Sequence, residues 1–178
     1  MSFKDIFQED YSVVNNAHAR VNLIGEHTDY TGGYVLPSLL NFKTTIQISQ
    51  NNNKKYQVYS DNFDEQINFI DFIKSENIDW IDYVKGCLFV FYDENKQIPN
   101  THLNIFISSS IPMGRGISSS SALCVAILKT LNDFFKTQVT YLLPSYTLYY
   151  GIIISYIDTA LTKTKNNTFF FLSKNKIK

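Results

Sequence analysis

One stretch, residues 20–33, constrains the fold of this chain most, and it reads R-V-N-L-I-G-E-H-T-D-Y-T-G-G. Near its start, Val21, Leu23 and Ile24 are apolar and β-prone, which predicts a strand that ends at Gly25. Polar side chains follow before the next glycines: Glu26, His27 and Asp29. An unpaired buried carboxylate costs on the order of several kcal/mol, so this cluster does not belong inside a core strand. It indicates either an ordinary polar hairpin loop or a site for a ligand rich in hydroxyl groups.

A second motif, residues 111–123, reads I-P-M-G-R-G-I-S-S-S-S-A-L. It lies between a predicted strand that starts at Leu103 and a predicted helix with apolar residues at helical spacing from Leu123 to Phe134. Gly114 and Gly116 allow the backbone to approach a ligand closely. The serines fall at the helix start, where unpaired N–H groups and the helix dipole favour phosphate. A loop with ordinary serine caps would explain only one serine and one glycine. The motif is not a Walker A loop, because it lacks the G-K-[ST] ending.

Both motifs resemble signatures of one family, the galactokinases of the GHMP kinase superfamily. The resemblance implies that Arg20 is catalytic and lies beside the reacting hydroxyl and the transferred phosphoryl group. It also implies that Glu26, His27 and Asp29 bind the hydroxyl groups of the sugar. The cofactors it implies are ATP and Mg²⁺, with Ser120 facing the metal. The implied ATP-binding residues are Gly114, Arg115, Gly116, Ser118, Ser119 and Ser120.

The chain departs from the family pattern at a few positions. Before Arg20 it has His18 and Ala19, where the family usually has proline and glycine, and this change could alter the approach of the loop. In the second motif, Arg115 adds a cation and Ser121 adds only a hydroxyl group. None of these departures removes a named ligand.

The resemblance implies an α+β fold, a mixed sheet with helices packed on one face, as in the N-terminal (ribosomal protein S5 domain 2-like) domain of GHMP kinases. The sequence pattern itself predicts a hairpin of two strands, residues 43–49 and 56–60. It also predicts a helix that begins after Asp79 and carries Trp80 as a core residue. Residues 61–76 have no clear pattern.

The family resemblance covers about residues 1–140, and residues 141–178 form a divergent tail. The family's magnesium-binding glutamate, catalytic aspartate, third glycine-rich motif and C-terminal kinase domain are absent from the sequence, and Glu94 is its last glutamate. We therefore expect this chain alone to be inactive. Residues 137–157 are uncharged, but five tyrosines and Pro144 make them a poor membrane span. An out-of-frame ending or a degraded gene explains the tail better.

Composition narrows the function. The 16 basic and 16 acidic side chains give a formal net charge of zero, without blocks of like charge, so neither nucleic acid nor a membrane surface is an expected partner. Cys87 and Cys124 lie in apolar patterns, which predicts buried free thiols and a cytoplasmic location.

The expected reaction is the ATP-dependent phosphorylation of galactose to galactose 1-phosphate. A non-catalytic sugar-binding or sensing remnant and a fragment of an N-acetylgalactosamine kinase remain as alternatives, because all three would share the first motif. The oligomeric state is open.

Overall fold

The computed structural model describes residues 1–24, 34, 36–73, 75, 79–112, 115 and 117–137, so the predicted tail of residues 141–178 lies outside the described part. Within that part the fold is α+β, as predicted. The helices and strands in chain order are α1 (Phe3–Phe7), β1 (Val13–Ile24), β2 (Leu36–Gln50), β3 (Tyr56–Ser60), β4 (Glu65–Phe69), α2 (Trp80–Glu94), β5 (Leu103–Ser109) and α3 (Ser119–Phe135).

The described strands form one mixed sheet in the order β1-β2-β5-β3-β4. Every neighbouring pair is antiparallel except β3 and β5, which run parallel. Because β3 and β5 are parallel, the turn after β3 and the loop after β5 leave the sheet at the same end. That shared end is where the second sequence motif begins.

Helices α2 and α3 cover one face of the sheet, as predicted. Their apolar stripes are buried against alternate residues of the central strands, including Ile46, Val58 and Ile105. Trp80 was predicted as a core residue; it is half-buried and packs against the margin of this cluster. The short helix α1 was not predicted to cross to the other face. It packs there through Phe3, which contacts Tyr59 and Phe106.

Both cysteines are buried, as predicted. Cys87 on α2 and Cys124 on α3 are free thiols that meet where the two helices pack, with Cys87 Sγ 3.9 Å from the carbonyl oxygen of Cys124. Burial raises the pKa of the Cys87 thiol well above its usual value, so the neutral form is favoured. The pair therefore acts as small apolar packing.

The predicted hairpin of residues 43–49 and 56–60 is wrong in its pairing, although both strands exist. Strand β5 lies between β2 and β3 and pairs with both. The apolar face of β5, with Ile105 and Ile107 buried, takes the centre of the sheet, where both faces are covered. Strand β3 instead forms its hairpin with β4, through residues 61–64 that the sequence pattern left unassigned.

Candidate functional site

The first motif is carried by the outer part of β1. Arg20 is exposed on this strand and pairs with Leu39 of β2. The residues that follow Ile24 up to residue 33 lie outside the described part of the chain, and these include Glu26, His27 and Asp29. Their predicted roles as sugar ligands therefore stay predictions.

The departure at His18 and Ala19 is accommodated by an irregularity in the strand pairing. The register of β1 against β2 shifts between His18 and Arg20. His18 Nδ1 lies 3.0 Å from the carbonyl oxygen of Leu40, so the imidazole is tied to β2 across this irregularity. Ala19 is fully buried, with an exposed fraction of 0%. A methyl group thus fits where the family usually has glycine, and Arg20 still follows on an ordered strand.

The second motif starts where β5 ends. The side chain of Ser109 accepts the N–H of Ile111 at 3.2 Å and lies 2.9 Å from Thr44 Oγ1. The N–H of Ser110 donates to the carbonyl oxygen of Lys43 at 3.0 Å. These bonds hold the exit from β5 against β2. Residues 113, 114 and 116, which include both predicted phosphate-loop glycines, lie outside the described part, whereas Arg115 is described and exposed.

Helix α3 begins directly after this loop, as predicted. Ser118 stands at the N-cap in a left-handed conformation, with φ 61° and ψ 38°, and its side chain makes no capping hydrogen bond to the helix. The first turn of α3 contains no acidic residue. The first N–H groups of any α-helix point out of its N-terminal end, because the helix offers them no carbonyl one turn earlier.

This helix end fits a phosphate group. The backbone N–H groups and the positive end of the helix dipole attract an anion, and neither the cap side chain nor a carboxylate of the first turn competes for that position. Ser119 and Ser120 stand in the first turn of α3. Their predicted roles, phosphate binding by both and metal binding by Ser120, stay predictions. Among the described residues no group of three or more His, Cys, Asp or Glu is placed to hold a metal.

A small apolar cluster joins the two motifs. Ala19 of β1, Ile111 at the loop start and Ala122 in the first turns of α3 are buried together. Ala17, Leu40 and Ile117 pack around them. In sequence, Arg20 directly follows Ala19, and Ser118–Ser120 lie between Ile117 and Ala122. The structure thus packs β1, at the residue before Arg20, against the start of the second motif and the first turns of α3, which are far away in sequence.

Asn62 is a residue that sequence reasoning missed. Its side-chain amide bonds both backbone groups of Ser109, at the start of the phosphate loop. The sequence around an asparagine in a polar turn does not indicate such a contact. Asn62 lies beside Ser109 only because β3 pairs in parallel with β5.

No helix of the described residues is long and apolar enough to cross a membrane. Thr137 is described, but the rest of the uncharged run that ends at residue 157 lies beyond that part.

Comparison with known proteins connects both motifs to one family. Residues 1–50 match the galactokinase galactose-binding signature, and residues 82–147 match the GHMP kinases N terminal domain. Galactokinase of Clostridium acetobutylicum is 40% identical over 141 residues, which are 77% of this chain and 36% of that protein. Galactokinase of Pyrococcus furiosus is 42% identical over 121 residues, which are 67% of this chain and 33% of that protein.

Solved structures agree with the sequence matches. Lactococcus lactis galactokinase complexed with galactose superposes with a TM-score of 0.70 at 28% identity, over 90% of this chain and 40% of that one. Methanococcus jannaschii mevalonate kinase shares the fold, with a TM-score of 0.70 at 19% identity over 82% of this chain and 47% of that one. The fold and the serine-rich loop after β5 therefore define an N-terminal domain of the GHMP kinase class.

Within this class the chain belongs to the galactokinase family, whose N-terminal portion it carries. It spans about a third of the length of the curated relatives it matches, 36% for the Clostridium protein and 33% for the Pyrococcus protein.

Proposed function

We propose that this chain supplies the sugar site and the ATP phosphate site of a galactokinase, which transfers the γ-phosphoryl group of ATP to the anomeric hydroxyl of galactose. The observation that carries the proposal is the cluster of Ala19, Ile111 and Ala122, which packs the strand of the first motif against the loop and helix of the second. Phosphoryl transfer depends mainly on positioning and charge neutralisation, so the two ligands must meet at one place. The cluster is a physical reason for that meeting.

Each motif has its own part in the reaction. Glu26, His27 and Asp29 would orient the sugar through its hydroxyl groups, because carboxylates and imidazole form strong hydrogen bonds with them. The loop amides and the serines at the start of α3 would bind the ATP phosphates. Arg20 would stabilise negative charge on the transferred group. Mg²⁺, when bound with ATP, neutralises phosphate charge, and Ser120 would contribute one oxygen ligand.

We further propose that residues 1–140 form the galactokinase-like domain and that residues 141–178 do not contribute to the site. The 178-residue chain would then bind ligands without turning them over. The sequence has no glutamate after Glu94 to complete a metal site. It also lacks the family's catalytic aspartate, and general base catalysis by such a group accelerates a reaction about 10²–10⁴-fold. The two buried free thiols also suit a reducing cytoplasm, where we place the protein.

The experiment is a paired binding and activity assay on the purified 178-residue chain. Calorimetry with galactose, N-acetylgalactosamine and a non-hydrolysable Mg-ATP analogue tests the two sites, and ADP release with galactose and MgATP tests turnover. Binding of galactose and of the nucleotide without ADP release is the expected result. Binding of sugar without nucleotide would favour the sensing alternative, and preference for N-acetylgalactosamine would change the substrate. Turnover near that of an ordinary kinase, about 1 per second, would refute the proposal that this chain is inactive.

A further inference from the structure

We propose that Asn62 is a positioning residue for the phosphate loop. Its side-chain Nδ2 donates to the carbonyl oxygen of Ser109 at 2.8 Å, and its Oδ1 accepts the N–H of Ser109 at 2.8 Å. Both backbone groups of the last residue of β5 are therefore bound by one side chain. The inference rests on the proposed function, because it concerns the loop that would bind ATP.

The contact continues the sheet beyond the point where strand pairing stops. The parallel pairing of β3 with β5 ends at Ser60 and Ile107. The N–H of Asp61 still donates to the carbonyl oxygen of Ile107 at 2.9 Å, and Asn62 then binds Ser109. A side-chain amide has one donor and one acceptor side, as the backbone has, so it can replace a missing strand partner. The exit of the chain from β5 is thus fixed on its β3 side.

The other side of this exit is fixed by β2, through Thr44 and Lys43. Ser109, two residues before the buried Ile111, is consequently held from both sides, by Asn62 in the turn after β3 and by Thr44 of β2. A phosphate loop binds through its backbone N–H groups, so its affinity depends on how well the entry to the loop is fixed before the ligand arrives. Removing Asn62 frees one side of that entry and leaves the other intact.

The positioning role differs from a general contribution to stability. Asn62 is exposed, so its removal leaves no cavity in the core. The first motif reaches the loop through Ala19 and its cluster, on the opposite side from β3. Loss of Asn62 should therefore weaken nucleotide binding and leave galactose binding unchanged.

The test compares three variants of the full 178-residue chain. Asn62→Ala removes both hydrogen bonds. Asn62→Asp keeps the acceptor for the Ser109 N–H but places a carboxylate oxygen against the Ser109 carbonyl. Asn68→Ala is the matched control, because Asn68 is an exposed asparagine on β4 that pairs with Gln57, at the far end of β3.

Three quantities are measured for each variant: affinity for the non-hydrolysable Mg-ATP analogue, affinity for galactose, and amide hydrogen exchange of a peptide that spans residues 109–118. For Asn62→Ala we expect about three- to tenfold weaker nucleotide binding, the range that one or two lost hydrogen bonds give. Exchange of the 109–118 peptide should be faster, while exchange within α3 and galactose affinity stay as in the wild type. Asn62→Asp should weaken the nucleotide too, and Asn68→Ala should change nothing.

Equal nucleotide affinity and equal exchange for Asn62→Ala and the wild type would overturn the inference. Equal loss of galactose and nucleotide affinity would overturn the inference as well, because it would indicate general destabilisation. A lower Tm of the variant would identify that case. If the wild type binds no nucleotide, the proposed function is refuted, and the predicted effect of Asn62 on nucleotide affinity can no longer hold. The exchange of the 109–118 peptide then still decides whether Asn62 fixes the exit from β5.

Discussion

Replacing Ala19 by leucine should separate the two halves of the site. Ala19 has an exposed fraction of 0% and packs against Ile111 and Ala122. Leucine adds three carbon atoms at this fully buried position. Overpacking of this kind costs about 1–3 kcal/mol. For a chain of this length, a loss of about 2 kcal/mol lowers Tm by roughly 4–8 °C.

The more informative effect is on geometry. Carbon atoms in contact lie about 3.5–4.0 Å apart, so a larger side chain must push β1 away from the loop and from α3 by on the order of 1 Å or more. The phosphoryl acceptor and donor need to come within about 3–3.5 Å of each other. A shift of about 1 Å can lower the rate of such a reaction about 10²-fold. We expect galactose and nucleotide each to bind alone nearly as in the wild type. Because coupling between two sites is reciprocal, the affinity for each ligand in the presence of the other should weaken by at least about tenfold.

The assay is calorimetric titration of galactose with and without a saturating non-hydrolysable Mg-ATP analogue. Ala126→Leu serves as the control, because Ala126 is also fully buried but belongs to the main core cluster. Both variants should lose comparable stability, and only Ala19→Leu should weaken galactose binding in the presence of nucleotide. If both variants lose stability alike and both keep the wild-type response to nucleotide, the cluster does not join the two sites and the reasoning is refuted.

Three further predictions concern single side chains. Asp29→Ala should weaken galactose by about 1–3 kcal/mol and leave the nucleotide unaffected, as measured by calorimetry; equal weakening of both would contradict its role as a sugar ligand. Gly116→Val should block the nucleotide and spare galactose, because a Cβ would intrude where the loop backbone meets phosphate; unchanged nucleotide affinity would place the phosphates elsewhere. Asp82→Ala should destabilise the fold by about 3–5 kcal/mol in denaturant unfolding, because the buried Asp82 carboxylate lies 3.9 Å from the Lys85 ammonium, which would lose its charged partner. Asp93→Ala, which breaks an exposed pair with Lys96, should cost less than about 1 kcal/mol, and a similar loss for both would refute the reasoning.

Local periodicity accounts for what the sequence predicted well. The apolar stripes from Trp80 to Phe91 and from Leu123 to Leu131 face the sheet because helical spacing alone fixes which side chains share a face. The start of α2 was predicted from Asp79, and its side chain does accept the N–H of Trp80 at 2.6 Å. These features depend on residues close together in sequence.

Strand pairing depends on distant residues, and there the sequence reasoning failed. Strands β2 and β3 are neighbours in sequence, but β5 separates them, because a strand with apolar residues toward the helices is buried best at the centre. The proposed role of Asn62 depends on the same strand order, and no pattern in the residues next to Asn62 indicates it. In the candidate site, the roles of Arg20 and Ser118–Ser120 were predicted by motif and stay predictions, and the structure adds the cluster that packs β1 against the second motif. Glu26, His27 and Asp29 remain predictions from sequence.

The most direct test of the central claim, that both motifs build one site, is the proximity of the two ligands. Mn²⁺ with a non-hydrolysable ATP analogue can replace Mg²⁺, and its unpaired electrons speed the relaxation of nearby nuclei in an NMR measurement on bound galactose. The account predicts that the anomeric proton of galactose relaxes faster than the other ring protons, and that this difference is smaller in Ala19→Leu. Galactose that binds but shows no metal-dependent relaxation, or equal relaxation of all its ring protons, would contradict the claim.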